Sequence, residues 1–336
     1  LRRAYSQGTT LPQASQALLV EILKDLPIAF VDAANPDLKR ASLPVLFREL
    51  EKAEEHEALL ARAACHLELE GYHVQVPILE KGINLFFEGT EGRDRLYRDG
   101  DLVRLNRAGT RMEPDELQAT VEEAPSLLSP NVLLRPVVES AILPTVAYIA
   151  GPGEVAYFGQ LRDLFHANGL RMPVIHPRHS VRLVEKKIGK VLAKFHRSPE
   201  SLDRPFHEVA SEIAMDEVPP DVRRALGEIR GAVGKGTGAL IKAVQQIDPT
   251  LKGPATRARN TAFSAFDEAE RKILQALKRE NEIALDQLAK AQRHLFPLGK
   301  AQERIISPLY YLARYGPELI SGLLEEFNVD LGIHST

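Results

Sequence analysis

Tryptophan is absent from this 336-residue chain, cysteine occurs once and methionine three times. The single cysteine, Cys65, excludes an intramolecular disulfide and is compatible with a reducing, cytoplasmic setting. It falls in the helical pattern HEALLARAACHLELEG, where a small buried thiol is expected rather than a nucleophile. No apolar run approaches the ~18 residues that span a bilayer, and no signal-peptide pattern opens the chain, so no membrane partner is expected. Neither sign of charge dominates: 43 Lys and Arg stand against 46 Asp and Glu, a net charge of −3 that calls for no nucleic-acid partner. The first methionine is Met112 and the chain opens Leu1-Arg2-Arg3. No complete α/β unit precedes the first helical pattern, so the chain reads as the C-terminal part of a longer protein.

What is present divides into three textures. Leu11, Leu18, Leu19, Ile22, Leu23 and Leu26 predict an amphipathic helix over 9–26, ended by Asp25-Leu26-Pro27. Ile28 to Val31 reads as a short buried strand, and Asn35-Pro36-Asp37 as the turn into a helix that starts or kinks at Pro44. A second helix is expected over about 52–70. HVQVPI, NLFFEG and RLYRDGDLVRL then carry strand and hairpin signals, and Pro114 to Glu123 a small helix, which together mark 72–124 as an insertion. Core character returns over 125–180 with Val132–Val138 and Val146–Ala150 as strands, a helix near 154–168, and the strand Pro173–His176. The pattern is that of a partial parallel α/β core, residues 1–71 and 125–180, interrupted by one insertion.

From Ser180 the chain is helical. Leu226, Ile229, Val233, Gly236, Leu240, Ala243 and Ile247 recur at steps of three and four, as do Leu274, Leu277, Asn281, Ala284, Leu288, Ala291 and Leu295. Asp248-Pro249 and Lys252-Gly253-Pro254 break the helix between them. The expected structure over 181–295 is a long antiparallel coiled coil with arms of ~45 Å and Asn281 setting its register. An arm of that length suits a second subunit, and a homodimer is expected. Its 21 Lys and Arg against 16 Asp and Glu over 181–293 lack interleaved aromatics, which favours a solvated surface over nucleic acid. The tail, 296–336, is compact and aromatic, with Tyr310, Tyr311 and Tyr315 on a helix closed by Gly316-Pro317.

Polar residues set into apolar surroundings carry the candidate chemistry. Gly151-Pro152-Gly153-Glu154, between a strand and a helix, suits either a ligand approaching the backbone or a plain turn with Glu154 against the helix dipole. Tyr157 and Gln160 share the three-residue spacing that places two side chains on one helix face. Asn131 and Arg135 precede it, and Arg135 needs either Glu139 or a ligand carboxylate as its partner. Arg178 follows the last core strand, at the carboxyl end where α/β proteins bind ligands, while His176 and His179 give no metal spacing, so no metal is expected. Gly231–Gly238 looks superficially like a phosphate loop but lacks the hydroxyl residue after Lys235 and interrupts a heptad helix. Gln302, Glu303, Arg304, Tyr310 and Tyr311 offer faces and forks that suit a nucleotide or, equally, a tail pinned to the core.

SPNVLLRPVVESAILPTVAYIAGPGEVAYFGQL, the upstream DAANPDLKR, GINLFFEG and the closing FPLGKAQER…YYLARYG resemble the bacillithiol biosynthesis cysteine-adding enzyme family, in order along almost the whole chain. The resemblance implies a Rossmann-type core with connecting-peptide insertions and a C-terminal coiled coil that dimerises. It implies ligation of cysteine, through its carboxyl group, to the amine of glucosaminyl-malate, with ADP or ATP as a possible ligand. On that reading Asn131, Arg135, Gly151, Gly153, Tyr157, Gln160 and Arg178 contact substrate, and Glu154 is the catalytic candidate. Lys300, Gln302, Glu303, Arg304, Tyr310 and Tyr311 contact the nucleotide. The family's N-terminal region, with the first part of its core, is absent from this sequence, so the isolated chain is expected to be inactive. A non-catalytic dimerisation or binding module is the rival reading, and a synthetase-like enzyme on another substrate a third.

Overall fold

Polar side chains open the first two helices. In the computed structural model, which describes residues 1–90 and 92–327, Thr10 and Gln13 form a capping box at the start of α1, Leu11–Ile22. The helix is shorter than its apolar pattern and buries only Ala14. Ile28 to Val31 is not a strand: Ile28 and Val31 are 50% and 54% exposed, and no neighbouring strand pairs with them. Without a ladder partner an apolar tetrapeptide stays irregular.

The side chain of Asn35 accepts from the N–H groups of Asp37 and Leu38 and opens α2, Pro36–Leu69. Pro44 lies inside the helix; the backbone instead departs from helical geometry at Lys52 (φ −112°, ψ 17°). Leu43, Leu46, Leu50, Ala53 and Leu60 make its buried stripe, and Glu49 and His56 are buried along it. Cys65 is exposed, contrary to expectation, because it lies well around the helix from that stripe.

The next strands are β1, Gly82–Gly89; β2, Gly92–Asp99; β3, Leu102–Leu105; and β4, Arg111–Met112. Helix α3, Pro114–Glu123, is followed by β5, Leu128–Pro130. They form one antiparallel sheet in the order β4-β3-β2-β1-β5, with Phe86 opposite both Arg95 and Ser129. HVQVPI takes no strand. The run Val132–Val138 is not a strand either, since α4 spans Arg135–Ile142. Asn131 Oδ1 accepts from the N–H groups of Leu133 and Leu134 and turns the chain, and Pro136 sits in the first helical turn.

A parallel pair closes this part: β6, Ala147–Ala150, then α5, Pro152–Phe158, and α6, Arg162–Ala167, then β7, Val174–Pro177. One continuous core joins α2, the five-stranded sheet and these helices through Leu46, Leu85, Leu96, Leu117, Leu134 and Phe158.

The chain divides into two compact units, Leu1–His179 and the residues from Ser180 onward. The second contains α7, Lys186–Lys194; α8, Phe206–Asp216; α9, Pro220–Ile247; α10, Lys252–Glu280; and α11, Glu282–Leu295. Two short helices follow, α12, Pro308–Tyr315, and α13, Glu318–Glu326. Helices α9 and α10 form the antiparallel hairpin, of 28 and 29 residues, or ~42–44 Å at ~1.5 Å per residue. Lys252-Gly253-Pro254 begins α10 instead of breaking it; the break is the short turn Pro249–Leu251, held by Asp248. Asn281 lies between α10 and α11 with its side chain on Glu217 and on the Leu277 carbonyl, so it ends the seam instead of setting a register within it. Beyond it Leu285, Leu288 and Leu295 pack with Leu192, Leu202 and Val209 in a small globular core. Residues 328–336 of the expected tail lie outside the described residues. No helix among the described residues is long and apolar enough to cross a membrane.

Candidate functional site

Arg135 organises the first unit's polar cluster. Its position at the start of α4 directs one terminal nitrogen to Glu139 Oε2 at 2.8 Å, a one-turn pair. The other donates to the hydroxyls of Tyr148 on β6 at 2.9 Å and Tyr157 on α5 at 2.8 Å. Glu154 completes the ring: it accepts from the Tyr148 hydroxyl at 2.9 Å, from the Gly151 N–H at 2.9 Å, and from Tyr157 at 3.4 Å. Burial pushes the Glu154 carboxyl up, but the Gly151 N–H, Tyr148, Arg135 and Tyr157 outweigh it and hold the group below its ordinary range. A carboxylate so fully solvated by donors is a poor base. Burial and the neighbouring carboxylate push Tyr148 up to about 12, against the opposing pull of Arg135. The cluster therefore stays Arg⁺, Glu⁻ and neutral tyrosine across the neutral range.

Beside it opens a pocket of about 420 Å³. Leu38, Val138, Ile142 and Leu143 supply its apolar floor, while Lys39, Arg93 and Arg135 bring three cations against the one carboxylate of Glu139. The Lys39 ammonium is destabilised first by burial and then by Arg93, with Glu88 opposing, so it loses its proton below the usual lysine range. Ser42 and Ser129 add hydroxyls to the lining. Such a pocket can hold a ligand that carries carboxylates on a compact body.

Not every expected residue reaches this place. Arg135, Glu154 and Tyr157 are brought together as described. Gln160 is buried and spends its amide on both backbone groups of Val76, at 3.2 and 3.0 Å, so it pins a loop and does not share a crevice with Tyr157. Asn131 is buried and caps the turn into α4 while donating to Asn84 Oδ1 at 2.8 Å. Gly151 caps α5, and a Cβ on Gly153 would meet no atom within 4 Å, so the space before that turn is open. Arg178 follows β7 with its N–H on the Ala150 carbonyl at 2.8 Å.

In the second unit the residues expected around a nucleotide separate by role. The Gln302 amide is buried and bonded to the backbone of Leu183 and His294. Glu303 accepts from the Ser180 hydroxyl and the Val181 N–H, each at 3.2 Å. Tyr311 is buried beside Tyr310, with ring centroids 5.0 Å apart, and its hydroxyl has no hydrogen-bond partner. Burial first and Glu185 second push Tyr311 up to about 12. Lys300, Arg304 and Tyr310 are exposed, with Arg304 3.9 Å from the Glu303 carboxylate and the Tyr310 hydroxyl accepting from Arg314 at 3.0 Å.

Sequence reasoning missed Lys39, Ser42, Arg93, Ser129 and Tyr148. Tyr148 and Ser129 carried a signal, as polar groups inside the apolar stretch already singled out. Lys39 and Arg93 lie far apart in sequence and meet only through α2 and β2.

Two family models match. Bacillithiol biosynthesis BshC, N-terminal Rossmann-like domain, covers residues 1–179, and the C-terminal coiled-coil domain of the same family covers 181–335. Relatives named "Putative cysteine ligase BshC" include proteins of Salinibacter ruber, 33% identical over 99% of this chain, and Prosthecochloris aestuarii, 31% identical over 100% of it. A third, from Symbiobacterium thermophilum, is 32% identical over 94%. The chain spans 61%, 61% and 57% of the lengths of these relatives. With both of its domain models matched in order along one polypeptide, the chain belongs to the BshC family of bacillithiol biosynthesis.

Proposed function

We propose that the chain carries the substrate-carboxylate pocket of a ligase that joins cysteine, through its carboxyl group, to the amine of glucosaminyl-malate. The carrying observation is the pocket in which Lys39, Arg93 and Arg135 face a single carboxylate. The malyl group brings two carboxylates, and charge-assisted pairs with Lys39 and Arg93 neutralise them. Arg135, already bonded to Glu139 and both tyrosines, acts by holding Tyr148, Tyr157 and Glu154 in place. Glu154, held ionised, orients an attacking ammonium or amine by accepting its hydrogen bond; its depressed pKa argues against the role of general base.

An adenine nucleotide is the proposed cofactor, with Tyr310 for the base and Lys300 and Arg304 for phosphates. When bound it supplies the phosphoryl chemistry by which a carboxylate becomes an acyl donor. The proposed assembly is a homodimer through the α9–α10 hairpin, supported by seam positions Ile229, Leu240 and Ile247 that stay 47%, 48% and 79% exposed. The reducing cytoplasm is its proposed compartment, in keeping with one exposed free thiol.

Glucosaminyl-malate binding to the protein, with Lys39→Ala and Arg93→Ala, tests the reading. Each substitution is expected to weaken binding ~tenfold or more while glucosamine alone is unaffected, in line with the loss of a charge-assisted bond. Unchanged affinity in both variants removes the pocket from the substrate site.

A further inference from the structure

A second cavity, of about 310 Å³, lies in the first unit and shares Arg93 with the first pocket. Leu60 of α2, Ile78, Leu79, Ile83 and Leu133 make its apolar wall. The loop that carries Ile78 is held by the amide of Gln160 on Val76, which accounts for that buried glutamine. Asn84 and Asn131, 7% and 8% exposed, make the polar wall. Behind Asn84 stands a fully buried chain: its amide donates to Glu49 at 2.9 Å, and Glu49 holds His56 Nδ1 at 2.6 Å. The wall is therefore rigid before any ligand arrives.

Charge in the lining is one-sided. Glu57 is its only carboxylate, and both its oxygens accept from the Lys81 N–H at 3.1 Å while Arg98 pairs with it. Arg93 and Arg95, two residues apart on β2, extend from the same face of the strand. Their guanidinium carbons lie 4.1 and 5.0 Å from the centroid of the Phe86 ring. Neither arginine pairs with a carboxylate among the described residues. Arg93 also donates to the Pro130 carbonyl at 3.1 Å and has Glu88 opposite it on β1, so Arg95 is the less satisfied cation, and an anion at the edge of Phe86 supplies it with a charge-assisted partner.

We propose that this cavity is a ligand site for a small apolar monocarboxylate, adjoining the Lys39–Arg135 pocket at Arg93. The carboxylate sits between Arg93 and Arg95 at the edge of Phe86, and the alkyl body lies against Leu60, Ile78 and Ile83. Arg93 lines both pockets, so Arg95 is the residue that separates them.

Calorimetric titration of the 336-residue chain with 4-methylpentanoate and with its neutral isostere 4-methylpentanamide tests the site. Saturable binding of the acid is expected, with the amide about tenfold weaker or more, because the charged form makes the stronger hydrogen bonds. Arg95→Gln is expected to reduce acid affinity about tenfold, and Arg135→Ala to leave it within about twofold. Arg95→Gln is checked for an unchanged thermal melt; the acid–amide comparison needs no variant and stands if that protein fails to fold. Four results overturn the proposal: no saturable binding of the acid, equal affinity for acid and amide, loss on Arg135→Ala but not on Arg95→Gln, or equal affinity for inorganic phosphate in competition.

Discussion

Helices α2 and α9 are both long, 34 and 28 residues, yet α2 buries nine side chains and α9 buries none. Both show apolar residues at helical spacing. In α2 the stripe is covered by a sheet and by α4, so Glu49 and His56 can be carried inside it and paired there. In α9 the stripe lies mainly against α10, and cross-helix contacts such as Arg230 to Asp267 and Glu270, at 2.6 and 2.8 Å, remain near solvent. A periodic pattern therefore specifies a helix in both cases, but only the layers around it decide whether the residues become a core, a polar wall or a surface.

Breaking that contrast most strongly calls for the buried Glu49–His56 contact. His56→Ala removes a buried hydrogen bond to Glu49, 0% exposed, leaving it only Asn84, and opens a cavity, so it is expected to cost ~2–4 kcal/mol in urea unfolding. Leu240→Ala on α9, where the side chain is 48% exposed, is expected to stay within ~1 kcal/mol. Equal losses would show that the hairpin is buried in solution. Gln160→Leu is expected next, at ~1–3 kcal/mol, because it leaves both backbone groups of Val76 unpaired at a half-buried loop. Hydrogen exchange at the Val76 amide should rise with it, and slow exchange there would mean that another contact anchors the loop.

The smallest effects concern pH. Tyr148 stands at about 12 in the folded chain against an ordinary 10.0, so the folded state binds its proton more tightly. Its stabilising contribution is complete below pH 10.0 and is lost as the pH rises toward about 12. Glu154 runs the other way: its folded pKa is depressed, so its contribution is present above the ordinary carboxylate range and is lost as acid protonates it. Tyr148→Phe should flatten the alkaline limb of a stability–pH curve, and Glu154→Gln the acid limb. A curve unchanged by both would leave the Arg135 ring without energetic weight.

Local signals were legible where they were self-contained. The Pro114 helix, the strand before Gly151, the strand ending near His176 and the aromatic helix closed at Gly316 all appear where their patterns put them. At Gly316 the reason is local, since its φ of 76° favours glycine after the last turn. Val132–Val138 misled because a short apolar run reads alike as strand or buried helix, and the overlooked discriminator was Pro136. Gln160 and Gln302 looked like ligand contacts, yet each satisfies a distant backbone segment, 84 and 119 residues away. Nothing in their own neighbourhood announces such partners.

By itself the sequence determined the helical hairpin, the turn at Gly151-Pro152-Gly153-Glu154 and the polar set Arg135, Glu139, Glu154 and Tyr157, because caps, breaks and one-turn pairs act over a few residues. Only the tertiary structure decided that Lys39 and Arg93 share the pocket of Arg135 and that Asn131 joins Glu49, His56 and Asn84 behind a second cavity. Those groups come from α2, β1, β2 and the turn before α4, and charge and hydrogen bonding act between them through space once one core has drawn the elements together.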